Sequence, residues 1–262
     1  MLKKGAAFSL IKALLSINKI EAVKDRVEVI LVTRNNATTG IRAFNSIEEY
    51  GLDITRGVFS GGGELLPYLK ALDVDLFLTA NAEDAQAAID AGIPAATLLA
   101  ENIPTYDDQE NGHIRIAFDG DAVLFSDESE LIFKKKGLEK FKENEARRAD
   151  EPMQEGPFIK FLKVIADLQK ALGEDQTFIR TALVTARNAP SHKRVIKTLR
   201  EWGIRIDEMF FLGGISKKPV LQAFGAQIFF DDQKTYTVPA SSVVPSGTVP
   251  YVSSSELNQY KN

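Results

Sequence analysis

Two aspartates, Asp119 and Asp121, follow an alternating apolar run at residues 114–118 and are separated by one glycine, Gly120. The alternation predicts a short β-strand. Such a strand would present Asp119 at its carboxyl end, where open α/β sheets bind their ligands. Gly120 has no side chain, so the backbone there can approach a ligand closely. Two carboxylates in different environments suit a nucleophile and an acid/base catalyst.

A threonine, a lysine and a second pair of aspartates add to this chemistry. Thr185 ends one predicted strand, Asp231 and Asp232 end another, and Lys217 follows a Gly-Gly turn. Acidic groups at two strand ends supply the oxygen ligands that a hard cation such as Mg²⁺ prefers. A lysine and a hydroxyl supply hydrogen-bond donors for the oxygens of a phosphoryl group. These three elements and the pair of Asp119 and Asp121 make four elements in all. Together the four elements indicate phosphoryl transfer to a carboxylate nucleophile.

The order of the secondary-structure elements predicts the fold that must position these residues. Strand patterns at residues 27–33, 54–59 and 74–78 alternate with two helical patterns, and the same order returns after residue 180. Alternating strands and helices are typical of a parallel sheet. We therefore expect an α/β fold with a doubly wound, mostly parallel sheet.

The two β-α-β-α-β segments are predicted to be copies of one unit. At a constant shift of 152 residues, positions 31–81 and 183–233 share sixteen identities without a gap. Composition alone would give only a few, so we predict a duplicated supersecondary unit. Charged residues of the second copy align with uncharged residues of the first at three positions: Lys217 with Leu65, Asp231 with Thr79, and Asp232 with Ala80. We consider three roles for the first copy: it could extend the sheet, form a subunit interface or bind a regulatory nucleotide. The sequence favours a structural role.

Residues 127–178 have a different character from both copies. They are rich in glutamate and lysine, and their apolar residues recur at helical spacing between breaks at glycines and prolines. This pattern predicts about three helices that cover the mouth of the site, with the basic runs 134–136 and 147–148 on solvated faces. We divide the chain into an N-terminal degenerate repeat (1–110), a catalytic core (111–126 and 179–262) and a helical cap insertion (127–178).

Composition excludes several classes of function. The net charge of −4 does not favour a nucleic-acid partner, and the absence of cysteine excludes disulfides, thiolate metal sites and cysteine nucleophiles. Two histidines make a multi-histidine metal site improbable. No apolar run reaches the length of a membrane-spanning helix, and residues 10–17 fit an amphipathic helix rather than a signal peptide. We expect a cytoplasmic protein without a membrane partner.

Longer stretches of the sequence resemble a known family. The four elements resemble those of the haloacid-dehalogenase-like phosphatases, and residues 118–130, 183–187, 198–203 and 228–233 resemble, more narrowly, the cytosolic 5′-nucleotidases of type I. The resemblance runs from about residue 8 to residue 251, with a shorter arm before the first strand than in the vertebrate members. It implies Mg²⁺-dependent hydrolysis of nucleoside 5′-monophosphates to nucleoside and phosphate.

The resemblance also implies a role for each residue that matches the family's motif. Asp119 would be the nucleophile and Asp121 the acid/base, while Thr185 and Lys217 would hold the phosphoryl group. Lys218 competes with Lys217 for this role, and the lysine two residues before the proline is preferred.

The same resemblance assigns the metal ligands. The ligands of Mg²⁺ would be Asp119, the backbone carbonyl of Asp121, and Asp231. Asp232 would bind the metal through water or orient Lys217.

Other residues are weaker candidates for contacts with the substrate. They are the neighbours of the catalytic groups in the sequence: Gly120, Ser126, Asp127, Ala186, Arg187 and Asn188. A phosphatase of another small phosphate, such as a sugar phosphate, and a non-catalytic nucleotide-binding protein remain alternatives to the nucleotidase. We expect a homo-oligomer.

Overall fold

The computed structural model describes residues 1–99 and 113–260. Its strands are β1 (Ile30–Thr33), β2 (Arg56–Phe59), β3 (Phe77–Thr79), β4 (Ala95–Leu98), β5 (Ile114–Phe118), β6 (Ile179–Thr185), β7 (Glu208–Phe211), β8 (Ile228–Asp231) and β9 (Ser246–Thr248). Its α-helices are α1 (Phe8–Ser16), α2 (Ala37–Glu49), α3 (Leu66–Ala71), α4 (Ala82–Asp90), α5 (Glu128–Arg147), α6 (Ile159–Leu172), α7 (His192–Glu201), α8 (Lys218–Phe224) and α9 (Lys234–Ala240).

Strands β3 to β9 form one sheet in the order β3-β4-β9-β8-β5-β6-β7. Neighbouring strands are parallel except for β4 and β9. This architecture confirms the predicted α/β fold with a mostly parallel sheet. Strand β5 lies between β6 and β8, and Phe118 at its end is in register with Leu183 and Phe230. The carboxyl ends of these three strands therefore meet at one edge of the sheet.

Apolar side chains from both faces of β5 are buried under helices. Ile116 and Phe118 belong to a core that includes residues of α1, α4, α6 and α7, whereas Ala117 belongs to a second core with residues of α8 and α9. Because side chains alternate between the two faces of a strand, one short strand contributes to both cores. Helices on both faces make the sheet doubly wound.

Helix α6 packs on the sheet as a crossover helix between the parallel strands β5 and β6. Its residues Phe161, Leu162 and Ile165 are buried in the larger core. The ring of Phe158, directly before the helix, lies 4.7 Å from that of Phe230, measured between centroids. The aromatic residues of this segment therefore pack in the core.

The duplicated unit has matching local geometry in its two copies. The Gly-Gly turns have left-handed φ values of 61° and 97° at Gly61 and Gly62, and of 62° and 89° at Gly213 and Gly214. The hydroxyl oxygens of Thr33 and Thr185 each accept the N–H two residues further on, at 3.2 Å in both cases. A left-handed φ strains any residue with a side chain, which explains the glycines in both turns.

The two copies differ in how their strands assemble. Strands β1 and β2 form a separate two-stranded parallel sheet, and β3 alone joins the main sheet, at its edge beside β4. Strands β6 and β8 of the second copy are joined by β5, which lies between them in the sheet but precedes the copy in the chain. No strand among the described residues lies in the same way between β1 and β3. The described strands of the first copy therefore do not form one continuous sheet, because no described strand joins β1 and β2 to β3.

The segment predicted to form a cap contains three helical stretches, as the sequence predicts, because α5 consists of two stretches and α6 follows. Helix α5 is interrupted at Gly137, where φ is 78°, so the predicted break is present inside it. The division of the chain into a repeat, a core and a cap stays a prediction. Helix α6 lies within the predicted cap, yet it packs on the sheet as described above. The predicted boundary between residues 110 and 111 lies outside the described residues.

Candidate functional site

Three strand ends bring the predicted catalytic residues together. Asp119 follows β5 directly, Thr185 is the last residue of β6, and Asp231 is the last residue of β8. The backbone N–H of Asp119 donates to the carbonyl of Phe230 at 2.8 Å, so the pairing with β8 extends to the nucleophile position. All three polar side chains are buried. Local strand patterns and parallel pairing thus place distant residues at one point.

The ammonium group of Lys217 joins two of the carboxylates. Its Nζ donates to Asp119 Oδ1 at 2.7 Å and to Asp231 Oδ2 at 2.6 Å. Lys217 immediately precedes α8, and its side chain is 2% exposed. Burial lowers the pKa of Lys217, but the charges of Asp119 and Asp231 outweigh this and hold the pKa above its ordinary value. Lys217 is therefore a permanent cation, and it is Lys217 rather than Lys218 that contacts the aspartates.

Burial dominates the titration of the aspartates in this cluster. It raises the pKa of Asp119 from 3.8 to about 7, against the opposing effect of Lys217 and with a further increase from Asp231. Burial and the charge of Asp231 likewise raise the pKa of Asp232. The cluster contains three carboxyl groups, of Asp119, Asp231 and Asp232, but only one lysine. A further cation would lower the pKa values of these acids and favour their ionised form.

The residues present suit a divalent cation. Asp119, Asp231 and Asp232 each offer a carboxylate oxygen, and these atoms lie within 4.8 Å of one another. Oδ1 of Asp232 is buried and has no hydrogen-bond partner, whereas Oδ2 accepts a hydrogen bond from the hydroxyl of Tyr251 at 2.6 Å. A buried carboxylate oxygen without a donor is available to a metal. Three carboxylates form the all-oxygen set that Mg²⁺ prefers.

Thr185 and Gly120 lie beside each other at the floor of the cluster. A Cβ added to Gly120 would lie 3.5 Å from Oγ1 of Thr185 and 3.4 Å from the ring of Phe125, which are ordinary van der Waals distances. The protein itself therefore has room for a side chain here. The expectation that Gly120 allows a ligand to approach the backbone stays a prediction.

Asp121 is held by an arginine that the sequence analysis expected at the substrate. Nε and Nη2 of Arg187 donate to the two carboxylate oxygens of Asp121, at 2.8 and 2.7 Å. Nη1 of Arg187 donates to the buried carboxylate of Glu145 on α5. Burial lowers the pKa of Arg187, but the charges and hydrogen bonds of Asp121 and Glu145 outweigh this effect and hold the pKa above its ordinary value. The guanidinium therefore stays charged. Arg187 therefore contacts the candidate acid/base directly.

The remaining substrate candidates lie at the periphery. Ala186 is partly buried beside Thr185, while Asn188 is exposed and lies near the Gly-Gly turn at Gly213. The backbone N–H of Ser126 donates to the carbonyl of Gln154 at 2.9 Å. The carboxylate of Asp127 accepts a hydrogen bond from the hydroxyl of Ser255. The contacts of Ser126 and Asp127 hold the start of α5, and in the described part of the chain no hydrogen bond or ion pair joins the four residues to Asp119, Asp231 or Asp232.

Several residues of the site were not predicted from the sequence. Two tyrosines adjoin the cluster, since Nζ of Lys217 lies 4.4 Å from the ring centroid of Tyr236 and Tyr251 binds Asp232. Burial raises the pKa of Glu130 on α5, and Asp121 raises it further. Glu145 lies in a helix whose charge pattern predicted a solvated face, yet it is fully buried. Tyr236, Tyr251 and Glu145 lie outside the stretches that carry the family resemblance, whereas Glu130 is the last residue of one of them.

The fold and the cluster define a class of protein. A mostly parallel α/β sheet with an aspartate after its central strand, a lysine, and a further pair of aspartates after the neighbouring strand is consistent with a haloacid-dehalogenase-like core. Among the helices described above, none combines the length and apolar character that crossing a bilayer requires.

The chain belongs to the 5′-nucleotidase family, whose family model matches residues 1–256. It is 41% identical over 244 residues to human cytosolic 5′-nucleotidase 1B, a match that covers 88% of this chain and 39% of the relative. The chain thus spans well under half of the length of that relative. A chain of the Pnkp1/Rnl/Hen1 complex covers 92% of this chain and 94% of its own length, at 12% identity and a TM-score of 0.39. That score is too low to establish a shared fold, whereas the family prediction from the sequence is confirmed.

Proposed function

We propose that this protein is a Mg²⁺-dependent 5′-nucleotidase that hydrolyses nucleoside 5′-monophosphates through an aspartyl-phosphate on Asp119. The observation that carries the proposal is the buried cluster in which Lys217 contacts both Asp119 and Asp231. Membership of the 5′-nucleotidase family supports the substrate class. The name of the human relative, a cytosolic 5′-nucleotidase, supports a cytoplasmic location, and the homo-oligomer stays a prediction.

The first half of the reaction forms a phosphoenzyme. A carboxylate oxygen of Asp119 attacks the phosphorus atom, and the bond from phosphorus to the 5′ oxygen breaks. Asp121 gives its proton to the departing oxygen, which leaves as the nucleoside hydroxyl. Lys217 and the hydroxyl of Thr185 hold the phosphoryl oxygens as charge moves onto them. When bound, Mg²⁺ would neutralise the same charge, held by Asp119, Asp231 and Asp232 with the carbonyl of Asp121 as a further expected ligand.

The second half returns the enzyme to its starting state. Asp121, now ionised, takes a proton from a water molecule, and the water oxygen attacks the phosphorus atom. The bond between phosphorus and Asp119 breaks, and inorganic phosphate leaves. Asp119 is again a carboxylate and Asp121 is again protonated. One water molecule and one nucleotide thus give one nucleoside and one phosphate.

Phosphate release from a panel of nucleoside monophosphates and sugar phosphates tests the proposal, with Mg²⁺ or with EDTA. We expect turnover of nucleotides that needs the metal and that Asp119→Asn abolishes. Turnover of sugar phosphates alone would keep the mechanism and reject the substrate class. A folded protein that binds nucleotide without turnover would instead support the non-catalytic alternative.

A further inference from the structure

We propose that Arg187 and Glu145 are positioning residues that hold the carboxylate of Asp121 in the orientation for proton transfer. The proposal rests on the proposed function and deepens it, because it adds residues of the inserted helix α5 to the machinery of the reaction. Arg187, which the sequence made a candidate for contact with the substrate, would act through Asp121 instead.

The contact between Arg187 and Asp121 fixes a plane rather than a point. Two parallel N–H donors of the guanidinium bind the two carboxylate oxygens, at 2.8 and 2.7 Å. A two-point contact of this kind prevents rotation of the carboxylate about its last bond, which a lysine cannot do. The side chain of Asp121 is 13% exposed, so the guanidinium does not cover the carboxylate completely.

Four of the five N–H donors of the guanidinium already have partners. Besides its bonds to Asp121, Arg187 donates from Nη1 to Glu145 and from Nη2 to the sulfur of Met153 at 3.3 Å. Its plane also lies against the ring of Phe141, 5.2 Å from the centroid. With its side chain 2% exposed, Arg187 presents almost no surface to a substrate. The geometry therefore favours positioning over substrate contact.

Glu145 anchors the arginine from the opposite side. Its carboxylate is fully buried and accepts hydrogen bonds from Ser129 at 2.9 Å, Asn144 at 3.2 Å and Arg194 at 3.0 Å, in addition to Arg187. A buried carboxylate requires this degree of pairing, because an unpaired charge in the interior is strongly destabilising. The two arginines balance the charges of Glu145 and of Asp121 in its ionised form, which is the form that takes a proton from water in the second half of the reaction.

The network joins the insertion to the catalytic core. Ser129 and Glu145 lie at opposite ends of α5, whereas Arg187 follows β6 and Arg194 lies on α7. The orientation of Asp121 therefore depends on how α5 sits on the core. This gives the glutamate-rich helix a function besides covering the site.

Comparing two leaving groups tests positioning directly. An alkoxide, as in a nucleotide, needs a proton from Asp121 to depart, whereas 4-nitrophenolate departs without one. We expect Arg187→Lys and Glu145→Gln to slow the first turnover of a nucleotide by about 100-fold, in line with the usual contribution of general acid catalysis. The first equivalent of 4-nitrophenolate from 4-nitrophenyl phosphate should appear within about threefold of the wild-type rate, and KM for the nucleotide should change by no more than about threefold.

A milder variant and a matched control accompany these two substitutions. Ser129→Ala removes one hydrogen bond to Glu145 and no charge, so it reports on the same network if Glu145→Gln fails to fold. We expect it to slow the first turnover of the nucleotide by about threefold to tenfold, again without effect on the aryl phosphate. Arg180→Lys is the control, because Arg180 lies on the same strand and pairs with Glu208 at 2.8 Å away from the cluster. Its rates should match the wild type.

Different failures have different meanings. Equal loss with both leaving groups would overturn the proposal in favour of a structural role, and a raised KM with unchanged kcat would overturn it in favour of substrate contact. A wild-type protein that hydrolyses aryl and sugar phosphates but no nucleotide would reject the proposed substrate alone, and the comparison of leaving groups would still decide the role of Arg187. Absence of all turnover by the wild-type protein would overturn both proposals.

Discussion

Nζ of Lys217 lies 2.7 Å from Oδ1 of Asp119, although 98 residues separate them along the chain. The contact is possible because β5 and β8 are neighbours in the sheet, and α8, which Lys217 precedes, leads into β8. A buried cation at this position compensates part of the charge of the aspartates and offers a donor to a phosphoryl oxygen. The geometry therefore connects the topology of the sheet to the proposed chemistry.

Exchanging this lysine for a residue of similar length without charge should remove most of the activity. We expect Lys217→Met to lower kcat by about 100-fold to 1,000-fold, the usual effect of losing one donor to the developing charge. Lys218→Met is the matched control and should stay within about twofold of wild type, because Lys218 makes no contact with Asp119 or Asp231. Phosphate release at saturating substrate measures both. A loss of activity in Lys218→Met with an active Lys217→Met would contradict this assignment.

The stability of the metal-free protein should fall as the pH rises towards neutrality. The folded-state pKa of Asp119 is about 7 and its ordinary value is 3.8, so the folded chain holds this proton more tightly than the unfolded chain. The resulting stabilisation is complete below the ordinary value and is lost as the pH rises through 7. Asp232 contributes in the same direction. In EDTA, we expect the unfolding temperature to fall by several degrees between about pH 5.5 and pH 8, at roughly 2–4 °C per kcal/mol.

The substitution Asp119→Asn isolates the part of this effect that belongs to Asp119. An amide cannot ionise, so the variant should lose activity while its unfolding temperature in EDTA depends less on pH than that of the wild type. Added Mg²⁺ should stabilise the wild type more at pH 8 than at pH 5.5, because the metal competes with the proton for the carboxylates. An unfolding temperature that rises across this range in EDTA, in the wild type but not in Asp119→Asn, would contradict the raised pKa.

The hydroxyl of Tyr251 should support binding of the metal through Asp232. It donates to Oδ2 of Asp232 at 2.6 Å and leaves Oδ1 facing inward without a partner. Loss of a hydrogen bond to a metal ligand typically weakens metal binding by about 10-fold to 100-fold. We expect Tyr251→Phe to raise the Mg²⁺ concentration for half-maximal activity by about 10-fold, at little cost to kcat at saturating Mg²⁺. Tyr68→Phe, at a side chain that is 43% exposed, is the control. An unchanged requirement for Mg²⁺ would separate Asp232 from the metal.

Asp119, Thr185 and Asp231 could be predicted from the sequence because each of them lies at the end of a strand. Apolar alternation marks the strands, and parallel pairing then brings Asp119, Thr185 and Asp231 to one edge. Glu145 could not be found in this way, because it lies in a helix whose many lysines and glutamates have the pattern of a solvated surface. Only the packing of α5 against Arg187 and Arg194 shows that this one glutamate is buried.

Two features of the fold also lay beyond local patterns. Helix α4 and the strand β4 that follows it were not predicted. The strand has four residues and begins with two alanines, so its sequence shows no alternation of apolar and polar residues. The separation of β1 and β2 from the main sheet depends on which strand lies between two others, and the sequence of a copy does not contain that information. Identical residues at matching positions thus guarantee matching turns but not matching sheets.

The duplication supplies an internal control for the role of Thr185. Thr33 in the first copy and Thr185 in the second both end a strand and accept the same backbone N–H bond at 3.2 Å. The first copy has no counterpart of Lys217 or Asp231, so a threonine there has no charged neighbours of that kind. We expect Thr185→Val to lower kcat by about 10-fold to 100-fold through loss of a donor to the phosphoryl group, and Thr33→Val to leave kcat unchanged. Both substitutions remove an equivalent turn contact, so their unfolding temperatures should fall by similar, small amounts. A loss of activity in Thr33→Val at unchanged stability would assign the first copy a part in nucleotide binding.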